Sequence, residues 1–208
     1  MNKSASLSGL ATANSWIHRG APVVFPEFTG ERVYMAQFTL EGGLPPELAR
    51  WQATVDAMLD GIDVRGPIFF MVDQGEVRAS ATHRRPGLHV DGRWNPATNG
   101  HEHSFEPPPE RRRQRGPRAQ GASEELLVLA SDTLGCAAYV GEYTGLPDLG
   151  GDCSHIETRG LQRVELSPGR AWAGPALSML HESIPVLQDC RRTVVRLNVQ
   201  EAWIPRHH

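Results

Sequence analysis

Apolar and polar positions first become readable at Val33-Tyr34-Met35-Ala36-Gln37-Phe38-Thr39-Leu40, a β-rich run bounded by Gly30 and Gly42-Gly43, which predicts a strand. The first twenty residues are small and polar and predict nothing regular. Pro45-Pro46-Glu47 opens a segment with Leu48, Trp51, Val55, Met58 and Leu59 at three- and four-residue spacings. Proline and an acid are tolerated in a first helical turn, so this segment predicts the chain's one clear helix, ending near Gly61. Residues 67–72 form a short apolar strand. Asp73-Gln74-Gly75 then reads as a turn, with 77–82 as a weaker partner strand.

From Asn95 to Ala122 the composition shifts to Pro, Gly, His, Glu and Arg with almost no apolar side chains. Such a stretch contributes little core, so residues 95–122 are expected to be a long mobile insertion. β-like pieces resume at 126–130, 136–139, 161–166, 176–180 and 193–199, separated by Gly, Pro and Asp. Many short strands with one early helix predict a mainly β protein, an antiparallel barrel or sandwich, built as a single domain over 1–208.

Composition narrows the picture. The 208 residues include 21 glycines and 16 prolines, which argues against a helical bundle, while the apolar fraction suffices for one sizeable core. A net charge of −3 creates no global field toward nucleic acid or an anionic membrane. Cys136, Cys153 and Cys190 are an odd set without CxxC spacing, which fits a reducing compartment, so a cytoplasmic location is expected. There is no apolar run long enough for a signal-peptide core or a membrane span.

The chemistry concentrates in His89-Val90-Asp91. In a strand, side chains alternate, so His89 and Asp91 point to one face. A third metal-capable group is His181, at the end of an apolar run. Two histidines and one carboxylate on one face of an octahedral ion leave open positions, as at non-haem Fe(II) centres that activate dioxygen. Arg191, Arg192 and Arg196 follow His181 by 10, 11 and 15 positions.

With these residues the sequence resembles the 2-oxoglutarate/Fe(II)-dependent oxygenases, whose pattern is His-x-Asp, a distant second His, and an Arg about ten residues later. The likeness covers roughly 80–92 and 126–200. It implies a double-stranded β-helix (a jelly-roll or cupin-like barrel) with an N-terminal helix. It also implies Fe(II) held by His89, Asp91 and His181, with 2-oxoglutarate as cosubstrate alongside O2. Arg192 would bind the distal carboxylate of the cosubstrate, because a planar guanidinium pairs a carboxylate bidentately. Arg196, on the same strand face, would be a second anion contact; a strand starting one residue earlier would hand the role to Arg191. The implied reaction hydroxylates a C–H of a small molecule or amino-acid-like metabolite, with release of succinate and CO2; a protein side chain or nucleobase remains an open substrate class. The insertion after Gly92 follows directly on the metal motif and is expected to cover the site.

Other clusters carry less. His101-Glu102-His103-Ser104-Phe105-Glu106 approaches a cupin metal pattern but is one residue short, and no strand is predicted to carry it, so it reads as a solvated loop. Asp152-Cys153-Ser154-His155 lies in a Gly-rich loop without a nucleophile elbow, so Cys153 reads as a buried or loop thiol. The basic cluster at 111–118 is flanked by acids and lacks interleaved aromatics. Arg85, His83, Trp94 and Trp172 lie near the presumed metal strands, and Tyr139 and Tyr143 are further pocket candidates. Two rival readings use the same residues: a cupin-type metal-dependent non-oxidative enzyme, and a non-catalytic module docking a partner through its basic insertion.

Overall fold

The computed structural model describes residues 11–103 and 124–205. Its strands, in chain order, are β1 (Thr12–Ser15), β2 (His18–Pro22), β3 (Arg32–Phe38), β4 (Asp63–Val64), β5 (Ile68–Val77), β6 (Arg93–Asn95) and β7 (Gly100–Glu102). They continue with β8 (Glu124–Ser131), β9 (Cys136–Thr144), β10 (Gln162–Glu165), β11 (Arg170–Pro175), β12 (Leu180–Ser183) and β13 (Cys190–Trp203). The predicted helix is present in two parts, a 3-10 turn at Pro46–Trp51 running into α1 (Gln52–Leu59).

A large antiparallel sheet has the order β2-β11-β8-β13-β5-β3, and a smaller one joins β9 to β1, β10 and β12. The extended segment around His89 adds to the small sheet by bridging His181. From β5 onward the chain therefore winds between the two sheets as a double-stranded β-helix, with β5, β13, β8 and β11 facing the His89 segment, β12, β9 and β10.

The alternation of β13 decides what lies inside. Val195, Leu197 and Val199 face outward, where they join Trp51, Val55 and Met58 of the helical segment in the main apolar cluster. Trp51 is fully buried, and its indole N–H donates to Glu31. Arg192, Val194 and Arg196 take the opposite face and line the barrel's cavity.

Several sequence expectations are corrected. The turn at 73–75 does not form, and β5 runs through it to Val77, paired along its whole length with β13. Gln74 is held there by Thr29 and Glu31, whose N–H groups donate to its Oε1, and by Thr193 on β13. The strand expected at 176–180 is a turn, with Ser178 and Met179 N–H both donating to Pro175 O, and the strand begins at Leu180. β1 and β2 fall in the polar N-terminal stretch, where short strands pair at the margins of the sheets and bury few side chains. The first part of the stretch expected to be an insertion carries regular structure: β6 and β7 pair as a hairpin, and Trp94 of β6 is buried. The rest of the expected insertion, with the basic cluster at 111–118, lies outside the described residues.

Candidate metal centre and anion pocket

The segment carrying His89 and Asp91 is not a regular strand. It is held by isolated bridges from His89 to His181 and to Asp152, and ends at Gly92, whose φ of +80° turns the chain away. Its extended backbone still sends His89 and Asp91 to the same side. Ligand atoms of His89, Asp91 and His181 lie within 4.8 Å of one another. His89 Nε2 is 4.0 Å from Asp91 Oδ1, and His181 Nε2 is 3.9 Å from Asp91 Oδ2.

Backbone carbonyls set both tautomers. His89 Nδ1 is 2.8 Å from Gly87 O, and His181 Nδ1 is 2.9 Å from Met179 O. A carbonyl can only accept, so each Nδ1 carries a proton and each Nε2 is turned toward the carboxylate. Burial, reinforced by His181, pushes the His89 pKa down to about 4, so this imidazole is neutral at physiological pH, as a metal ligand must be. Burial alone would raise the Asp91 carboxyl, but Arg196 holds it well below the usual carboxylate range. Two imidazole nitrogens and an ionised carboxylate converge without filling one another's coordination, a donor set that fits a divalent cation.

The three side chains open onto a cavity of about 240 Å³ shared with Arg192, Arg196 and His101. Arg192 is 2% exposed; its Nε donates to Ser131 Oγ at 3.0 Å, whereas its Nη1 is buried without a partner among the described residues. A buried cationic donor left unpaired is unfavourable unless an anion completes it. The guanidinium lies against Gly135, where an added Cβ would stand 2.6 Å from Nη1. Arg191 points outward, exposed, beside Glu76 and over the ring of Phe28. Arg196 donates from Nη1 to Asp91 Oδ2 at 3.0 Å and from Nη2 to His101 Nε2 at 3.1 Å. Its charge is thus already matched by a carboxylate of the chain itself.

Of the remaining candidates, Arg85 lines the cavity and is tied to Gly150 O and Asp152. His83 is buried beside Asp73, and Trp172 packs with Ala138 and Leu166. Tyr139 donates to Glu182 and Tyr143 to Ser178 O, so both hydroxyls are spoken for. Cys153 is buried with its thiol pushed up to about 12 by burial, and Asp152 accepts from Ser154, so no nucleophile is activated there. The expectation that residues 101–103 form a solvated loop is wrong. His101 lies on β7, and both His101 and His103 face the cavity. The His-x-His spacing was the available signal, but it could not reveal that a three-residue strand carries it.

No protein-family model matches the chain, and no curated protein matches it significantly. Among solved structures, two crystal structures of EvdO2 from Micromonospora carbonacea var. aurantiaca, one of them complexed with 2-oxoglutarate, are similar at 14% identity and a TM-score of 0.36. The match covers 78% of this chain and 63% of EvdO2, so the chain spans less than two thirds of that protein's length. A TM-score this low transfers nothing from EvdO2, and the arrangement of this chain's own residues stands alone.

Proposed function

We propose that this protein is a 2-oxoglutarate- and Fe(II)-dependent dioxygenase that hydroxylates a C–H of a small molecule or amino-acid-like metabolite. The observation that carries the reading is the buried guanidinium of Arg192, whose Nη1 has no partner among the described residues, lining the same cavity as the His89–Asp91–His181 cluster. A metal-capable triad alone would suit many reactions. A triad sharing a small cavity with a cationic donor that lacks an anion suits a metal whose chelating partner ends in a carboxylate.

In this reading His89 and His181 present Nε2 and Asp91 presents a carboxylate oxygen to the metal. Fe(II) with 2-oxoglutarate and O2 supplies, when bound, an oxidant that takes hydrogen from an unactivated C–H, with succinate and CO2 released. Arg192 receives the distal carboxylate, and Ser131 keeps the guanidinium in place through Nε. Met71, Leu129 and Val194 give the cavity apolar wall between the charged groups, against which the carbon skeleton of a substrate can pack.

The test is an anaerobic titration of metal-free protein with Fe(II) and 2-oxoglutarate, following the visible charge-transfer band of the chelate. The band is expected in the wild type, is lost in His181→Ala, and requires far more cosubstrate in Arg192→Ala. Succinate release then screens for the substrate and separates small molecules from protein or nucleobase substrates. Bound metal without a band would reject this reading in favour of a cupin-type non-oxidative enzyme.

A further inference from the structure

The β6–β7 hairpin is fastened to the barrel at Trp94. Glu125 Oε1 accepts the Trp94 N–H at 2.7 Å, Gln200 Nε2 donates to Trp94 O at 2.9 Å, and Asn198 Nδ2 donates to the same Glu125 oxygen at 2.9 Å. The Trp94 ring meets His101 edge-on, with centroids 5.0 Å apart. His101 is therefore a fixed imidazole, and its Nε2 lies 3.1 Å from Arg196 Nη2.

A guanidinium has only donors and keeps its proton, so His101 Nε2 must be the acceptor. Burial and the charge of Arg196 push the His101 pKa down to about 4, which keeps that lone pair available at neutral pH. The geometry at Asp91 is one-pronged: Nη1 of Arg196 takes Oδ2 and Nη2 is turned to His101. Arginine and a carboxylate otherwise prefer the two-pronged fork. We propose that His101 is a positioning residue that draws one prong of Arg196 away from Asp91 and so leaves Oδ1 free for the metal. This rests on the metal reading of His89, Asp91 and His181 above. Without the imidazole acceptor, Nη2 would be a buried donor with only Met35 Sδ, 3.5 Å away, as a weak partner among the described residues. Its best remaining acceptor is Oδ1, and a forked Asp91 is a poorer metal ligand.

The experiment titrates metal-free protein with Co(II) alone, reading the visible d–d absorption, with melting curves alongside. His101→Phe keeps an aromatic ring against Trp94 but removes the acceptor. His101→Asn is too short to reach Arg196 and supplies the same test should the Phe variant not fold. His101→Gln can place Oε1 near the position of Nε2. Partners of metal ligands typically change affinity by about 10–100-fold, so the Phe and Asn variants should bind Co(II) at least about tenfold more weakly, with the Gln variant close to wild type. Wild-type affinity in the Phe or Asn variant overturns the proposal. Equal weakening in all three also overturns it, because the ring and not its acceptor atom would then matter. A wild type that binds no Co(II) overturns the metal reading itself, and this proposal with it.

Discussion

Gly135→Ala isolates the guanidinium of Arg192 from the rest of the barrel. A methyl at this position would lie 2.6 Å from Arg192 Cζ and Nη1 and 2.9 Å from Nη2. Unstrained contacts between heavy atoms are about 3.5–4.0 Å, so the guanidinium must retreat by about 1 Å. Because Nε is tethered to Ser131 Oγ, the retreat is a rotation that turns the outer nitrogens away from their present direction. A hydrogen bond to a charged group contributes about 1.5–3 kcal/mol, so losing one to the distal carboxylate raises the 2-oxoglutarate dissociation constant by about 10–150-fold. The atoms displaced are the end of a side chain and not backbone, so the stability change should stay below about 1 kcal/mol. The assay is the anaerobic cosubstrate titration of Fe(II)-loaded protein, with Co(II) affinity and melting temperature as controls that should not move. A Gly135→Ala protein that binds 2-oxoglutarate within twofold of wild type would refute the reasoning, since the guanidinium would then not be the anion's partner.

Acid should destabilise the metal-free protein well before its carboxylates titrate. His89 takes up its proton near pH 4 when folded but near 6.5 when unfolded, so its stabilising contribution is complete above about 6.5 and is lost as pH falls through 4. That amounts to about 2 kcal/mol between pH 7.5 and 5, with a smaller contribution in the same direction from the more exposed His101; urea midpoints that do not change over this range would contradict it. Gly151 has a φ of +77°, and an added Cβ would run into the backbone oxygen of Val90, beside Asp91. Gly151→Ala should therefore lower stability by about 1–3 kcal/mol and weaken Co(II) binding, and a variant with wild-type melting and metal affinity would count against that placement. Trp51→Ala should lose about 3–5 kcal/mol, measured by urea unfolding, because the fully buried indole joins the helical segment to the outer face of the large sheet.

How far the site was legible depended on how local each determinant is. The two-residue period of β13 placed Arg192 and Arg196 on one face and Arg191 on the other, and the structure follows it, with Arg191 beside Glu76 on the outside. The three-and-four spacing from Leu48 to Leu59 gave the helix for the same reason: its apolar stripe is written in consecutive turns. The turn predicted at 73–75 failed because Asp-Gln-Gly favours a turn only while its neighbours are unknown. Pairing with β13 and the hydrogen bonds to Gln74 come from residues more than forty positions away.

The hairpin at 93–102 was not legible for a similar reason, since the groups that hold its one buried apolar residue, Trp94, are Glu125 and Gln200 from distant strands. The sequence by itself determined the mainly β character, the helix, and which residues could form a metal-capable triad followed by an arginine, because side-chain chemistry and short-range period are properties of the chain. Only the tertiary structure decided that Arg192 has a donor unpaired among the described residues, that Arg196 is matched to Asp91, and that His101 stands against Arg196. Those outcomes depend on which charged side chains from distant segments are brought face to face, and that is fixed only when the two sheets wind together.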